Sequence, residues 1–147
     1  MPKISNRGEK IPASPIRKLT PFSDAAKARG VKVYHLNIGQ PDLPAPQKAL
    51  DALKHISRPT LEYSPSQGLK SFREKLSGYY SKFGINVKEK EIIVTTGGSE
   101  ALLLTFLACL NPGDEIITTE PGYANYISFA ITAGVAVKAV TSHIENG

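Results

Sequence analysis

A short apolar run, Glu91–Thr95 (EIIVT), passes almost directly into Gly97, Gly98, Ser99 and Glu100, and then into the apolar stretch Ala101–Leu110. Few local patterns constrain a chain more. The first run has the length and β-branched content of a buried strand. The paired glycines break it, and the following stretch has helical length. The alternation then repeats. A tight NPGD turn leads to a second strand at Glu115–Thr119, the segment EPGYANY opens a helix over Tyr123–Ala133, and Gly134 stops it before a strand at Val135–Val140. Strand, helix, strand, helix, strand predicts an α/β fold with a parallel sheet and helical crossovers. The helix Ser99–Leu110 is apolar almost all round, so it is expected to be buried.

Upstream, Met1–Thr20 carries Pro2, Pro12 and Pro15 among polar residues and reads as an extended arm. A short helix is expected over Pro21–Arg29, stopped by Gly30, followed by a strand at Val31–Leu36. Ala49, Ala52, Leu53 and Ile56 share one face of a helix spanning Ala45–Ile56. Leu69, Phe72, Leu76, Tyr79 or Tyr80, and Phe83 recur at three- and four-residue steps and predict another helix over Leu69–Phe83, ended by Gly84. The chain finishes directly after a strand. Parallel strands need both faces covered, so truncation of a longer protein is expected in preference to a complete three-stranded domain.

Composition narrows the function. No apolar run reaches the roughly 18 residues that a membrane-spanning helix requires, and the N-terminus has no apolar core of the secretory kind. The single cysteine, Cys109, cannot form an internal disulfide and fits a reducing, cytoplasmic compartment. A thiol–metal site is not expected. The net charge is +5, with most of the excess in the first third. Charge alone is a statement about solubility, and no nucleic-acid-reading motif accompanies it. Anionic small molecules remain as partners.

Four segments carry chemistry. In TTGGSEALLL a strand meets a helix start through Gly97, Gly98 and Ser99. Unpaired amides at the positive end of a helix bind phosphate. Ser99 adds a hydroxyl that could also cap the helix, with Glu100 favouring the terminal charge. A capped turn without a ligand accounts equally well for this segment alone. Neither GxxxxGK[ST] nor GxGxxG is present, so a P-loop and a dinucleotide fingerprint are excluded. EPGYANY lies at the C-terminal end of a strand, where open α/β sheets bind ligands. Pro121 and Gly122 shape a turn that presents Tyr123, an aromatic able to lie against a flat heteroaromatic ring, while Tyr126 is expected in the core. Gly39, in LNIGQPDLPAP, has a bare amide just after a strand. Tyr63, in EYSPSQGLKSFR, precedes a helix start.

Together, and in this order, these segments resemble the class I/II aminotransferases, fold type I pyridoxal-phosphate enzymes, in their aspartate aminotransferase-like branch. NIGQPD, the YxxxxGxxxFR pattern from Tyr63 to Arg73, TTGGSEAL and NPGDEIITTEPGY carry the resemblance, which runs from about Ile16 to the end. It implies the N-terminal part of a large-domain, mostly parallel sheet with flanking helices, incomplete here. Residues 1–45 would form an arm and the start of the small domain, and residues 46–147 the first portion of the large domain.

The resemblance also assigns roles. Gly97, Gly98 and Ser99 would hold the phosphate of pyridoxal 5′-phosphate. Tyr123 would stack on its ring, and Gly39 would meet the substrate α-carboxylate. Tyr63 would reach the phosphate of a partner subunit, which implies a homodimer. The family lysine that forms the Schiff base, the aspartate at the pyridine nitrogen and the substrate-clamping arginine would lie past Gly147, so no catalytic residue is assigned. Lys138, the single lysine after the glycine turn, follows a strand of the wrong rank. The implied reaction moves an amino group from an amino acid, aspartate being one candidate, to a 2-oxo acid. The alternatives are another activity of the same fold, such as a C–S lyase, and a non-catalytic fragment or dimerising remnant. Neither membrane nor nucleic acid is implied.

Overall fold

The computed structural model describes residues 2–57 and 59–146. Among the described residues six α-helices are formed: α1 Asn6–Lys10, α2 Thr20–Ala28, α3 Gln47–Lys54, α4 Lys70–Ser81, α5 Gly98–Cys109 and α6 Asn125–Ala133. Two strands, β1 Glu115–Glu120 and β2 Ala136–Thr141, pair parallel, in register from Glu115–Ala136 to Glu120–Thr141. The chain divides into two compact units. One comprises Met1–Val33 and Thr95–Gly147, the other Tyr34–Val94.

The first unit is organised by the β1–α6–β2 crossover. Parallel strands cannot be joined by a tight turn, so α6 carries the chain back along the sheet. Two alanines three residues apart on α6, Ala130 and Ala133, are buried with Val135, and Phe106, Leu110, Ile116 and Val137 pack around them. Ala130 is fully buried. Gly134 then ends α6 in the left-handed region at φ +78°. Its amide donates to the Ile131 carbonyl at 3.1 Å, and the Val135 amide donates to the Ala130 carbonyl at 2.8 Å. These two bonds form a Schellman cap, which turns the chain into β2. The NPGD turn is closed by the Asp114 carboxylate, which accepts from the Asn111 amide at 2.7 Å.

Three expectations are corrected. The arm contains α1, started by Ser5, whose hydroxyl accepts from the Gly8 amide at 3.1 Å. Apolar α5 is not buried: Leu104 is 47% and Leu107 56% exposed. Helix α6 packs along one side of α5, and nothing among the described residues covers the others. The chain over Val31–Leu36 leaves α2 without joining a sheet. Strands exist through pairing, and the sheet of the described residues has only β1 and β2.

The second unit relies more on polar bonds than on apolar burial. Arg73, in the first turn of α4, is buried. Its Nε donates to the Gly68 carbonyl at 3.2 Å and its Nη1 to the Glu89 carbonyl at 2.5 Å. One turn on, the Ser77 hydroxyl donates to the Val87 carbonyl at 2.5 Å. Residues four apart share a helix face, so α4 is stapled along that face to residues 87–89. Gly68 lies at φ +89°, and a Cβ there would come within 2.6 Å of the Val94 side chain. The adjoining bond, from the Val94 amide to the Gln67 carbonyl at 3.0 Å, holds this close approach together. The strand expected at Glu91–Thr95 is therefore extended chain, tied at Val94 rather than laddered, after a single 3-10 turn over Glu89–Glu91.

These glycines make opposite demands. Gly68→Ala forces a positive φ on alanine and drives its Cβ into Val94, so it should destabilise by about 1–3 kcal/mol. Gly78→Ala, inside α4 with open space around the new methyl, should stabilise by about 0.5–1 kcal/mol. Denaturant unfolding of both variants checks the pair. Equal effects would contradict the packing described at Gly68.

Candidate functional site

The C-terminal end of β1 runs into the turn Pro121–Gly122, and this turn decides where Tyr123 goes. A Cβ on Gly122 would fall on the carbonyl oxygen of Thr119. The peptide bond between Glu120 and Pro121 is cis. The close approach of Gly122 to Thr119 brings Tyr123 to a cavity of about 290 Å³, whose lining includes Thr118, Glu120, Gly122, Tyr123 and Tyr126. Tyr123 is 46% exposed. Its ring meets Tyr126 edge-on, with centroids 5.3 Å apart and planes at 84°. Its phenol oxygen accepts from Asn125 Nδ2 at 2.8 Å. Tyr126, expected in the core, is half-buried instead, because it also borders a second opening between α5 and β1 lined by Leu102, Phe106 and Ile116.

The start of α5 has a different character. Gly97 precedes it at φ +91°, ψ 172°, a backbone that suits glycine. Gly98 and Ser99 occupy its exposed first turn. Their amides, and the Ser99 hydroxyl, carry no hydrogen bond among the described residues. The capping role expected of Ser99 falls elsewhere. Ser99 lies inside the helix, and the Glu100 carboxylate reaches back to accept from the Thr96 amide at 2.5 Å. The Thr95 hydroxyl donates to the Gly97 carbonyl at 2.9 Å. The acidic residue of this first turn, Glu100, directs one oxygen to the Thr96 amide, and the next amides stay open at the positive pole of the helix. A Cβ on either Gly97 or Gly98 would meet no atom within 4 Å.

Gly97, Gly98, Ser99 and Tyr123 belong to one unit, Gly39 and Tyr63 to the other. Gly39 sits in an exposed loop with its amide unbonded among the described residues. Tyr63 is fully exposed. Lys138 lies within β2, its Nζ 3.2 Å from the Glu115 carboxylate. Lys138 is in register with Ile117, three residues before the end of β1 at Glu120, or about 10 Å along the strand at about 3.3 Å per residue, and its ammonium turns to Glu115 at the strand's start. Neither Asn125 nor the capping bond of Glu100 has a sequence signature, whereas Arg73, an arginine on the apolar face of a helix, is itself the signal of a buried polar staple. Among the described residues no cluster of His, Cys, Asp and Glu could hold a metal ion, and no helix is long and apolar enough to cross a membrane.

Comparison with known proteins bears on this arrangement. Residues 31–147 match the family model for aminotransferase class I and II. The chain is 38% identical over 102 residues to an aspartate aminotransferase of Sulfolobus acidocaldarius, covering 68% of this chain and 26% of that protein. It is 34% identical over 137 residues to an LL-diaminopimelate aminotransferase of Gloeobacter violaceus, covering 90% of this chain and 35% of that protein. The crystal structure of the Thermotoga maritima aspartate aminotransferase superposes with a TM-score of 0.88 at 28% identity, over 97% of this chain and 39% of that one. The chain thus spans well under half the length of the relatives it matches.

The turn at Gly122 yields a direct expectation. Gly122→Ala must displace either the strand end or Tyr123, so it should cost about 1–3 kcal/mol and alter the near-ultraviolet circular dichroism of the tyrosines. Gly98→Ala, which adds a methyl into open space, should leave unfolding within about 0.5 kcal/mol of the parent. Thermal unfolding of the two variants separates them, and a silent Gly122→Ala would contradict the geometry.

Proposed function

Since this chain belongs to the aminotransferase class I and II family, we propose that it supplies the phosphate cup and ring face of a pyridoxal-phosphate-dependent aminotransferase. The reaction proposed is transfer of an amino group from an amino acid such as aspartate to a 2-oxo acid. The observation that carries this reading is the open first turn of α5. Two exposed amides and a hydroxyl are unbonded there among the described residues, at the positive end of a helix, while the Glu100 carboxylate is turned to the Thr96 amide.

The donor set fits a phosphate dianion. Gly98 and Ser99 would donate their amides, Ser99 would add its hydroxyl, and Gly97 supplies the turn that keeps side chains out of the cup. Tyr123 would offer its ring to the flat face of the pyridine, at a cavity close to the lower end of the volumes typical of small-ligand sites. The bound cofactor would act as the electron sink for the amino-acid carbon. Gly39 would meet the substrate carboxylate through its amide. Tyr63 would reach the phosphate held by a second copy, which makes the proposed assembly a homodimer, in the cytoplasm. The exposure of Tyr63 supports a role toward something outside its own unit. Lys138 lies within β2 and faces Glu115 in an exposed ion pair, and in this reading the chain's own residues hold and orient, with no covalent anchor or general base assigned among them.

Pyridoxamine 5′-phosphate, which cannot react with surface lysines, is the ligand for the test. Ser99→Asp sets a negative charge against the phosphate and should weaken its binding by more than about tenfold. Tyr123→Ala should weaken it at least about fivefold beyond Tyr123→Phe, which keeps the ring. Equilibrium dialysis reads both. Unchanged affinity in Ser99→Asp would reduce the turn to a helix cap. With added pyridoxal phosphate, the 147-residue chain should show no transamination above the rate of the free cofactor, and turnover above that rate would contradict the assignment of Lys138.

A further inference from the structure

We propose that Asn125 is a positioning residue: its side-chain amide holds the phenol of Tyr123 and fixes that ring as one wall of the cavity at the end of β1. The consequence for ligand binding rests on the reading of this cavity as the seat of a flat ring. The hydrogen bond itself does not.

Tyr123 is restrained at three points. Its backbone follows a turn in which Gly122 leaves no room for a side chain. Its ring is flanked by Tyr126, edge-on at 5.3 Å. Its tip accepts from Asn125 Nδ2 at 2.8 Å. A tyrosine side chain has two torsions, so base, flank and tip together select one ring orientation. The tip contact restrains the half of the ring that packing leaves uncovered, since the ring is 46% exposed, and because this bond is also exposed its effect is modest. The Asn125 side chain is itself held at the first residue of α6, whose backbone is anchored by the Schellman cap at the far end and by the bond from the Tyr126 amide to the Tyr123 carbonyl at 3.1 Å. Asparagine is a poor helix former, but at the first turn its amide can serve a neighbour at little cost. A ring ordered before the ligand arrives removes part of the ordering cost of binding.

The test uses the 147-residue chain and two variants that remove opposite partners of one bond. In the ligand-free chain, Asn125→Ala should shift and average the Tyr123 ring resonances, and Tyr123→Phe should shift the side-chain amide signals of Asn125. If Asn125→Ala does not fold, the Tyr123→Phe spectrum decides alone. Unmoved signals overturn the proposal. The second arm is pyridoxamine 5′-phosphate affinity in a double-mutant cycle. Asn125→Ala should weaken binding about 2- to 10-fold with Tyr123 present, and less than about 1.5-fold in the Tyr123→Phe background. Equal losses in both backgrounds overturn the positioning role, because Asn125 would then act on something other than the phenol. If the parent chain does not bind this ligand while the resonance shifts occur, the cofactor reading fails and the positioning of Tyr123 stands.

Discussion

The parallel pairing of β1 and β2 is the constraint from which the first unit follows. Two parallel strands in register place their start points at the same end, so the chain must leave the end of β1 and return over the sheet. That return is α6, and it runs close to the sheet because the residues it turns inward are small: Ala130 has no exposed surface. The Schellman cap at Gly134 makes the second reversal. The first reversal, at Pro121–Gly122, is where the site lies. Tyr123 stands beyond the strand because the crossover must begin there, and the backbone carbonyl of Thr119 leaves that turn no space for a side chain.

The other half of the candidate site comes from electrostatics of the main chain. A helix leaves its first amides unpaired, and whether they serve a ligand depends on what else is near. Here the nearest carboxylate, Glu100, has already taken the Thr96 amide, which satisfies the entering chain and leaves Gly98 and Ser99 open. The second unit uses charge differently. The guanidinium of its buried Arg73 is shared between two backbone carbonyls, with no carboxylate paired to it among the described residues. This ties a glycine turn and a 3-10 turn to α4 where few apolar side chains are buried.

How much of this could be read from the residues depended on how local each feature is. Helix α4 was legible because its apolar steps lie within four residues of one another, and the ends of α2 and α6 because Gly30 and Gly134 act on their own turns. The expected strands at Val31–Leu36 and Glu91–Thr95 failed because strand identity needs a distant partner that periodicity does not name. The apolar composition of α5 indicated a wish to be covered, yet composition does not say that a cover exists among the described residues. In the site, Gly97, Gly98, Ser99 and Tyr123 were legible as a turn and an aromatic at element ends. The Glu100 cap and the Asn125–Tyr123 bond were not, since each depends on side-chain torsions that no spacing encodes.

In the function proposed here, the first turn of α5 and the ring of Tyr123 together receive a phosphorylated pyridine. The most direct measurement is a backbone-amide NMR titration of the 147-residue chain with pyridoxamine 5′-phosphate, run beside one with pyridoxamine. The account predicts saturable shifts concentrated at Gly98, Ser99 and Tyr123, with those at Gly98 and Ser99 lost when the phosphate is absent. Shifts spread over the basic residues of the first third, or the same shifts with both ligands, would contradict it.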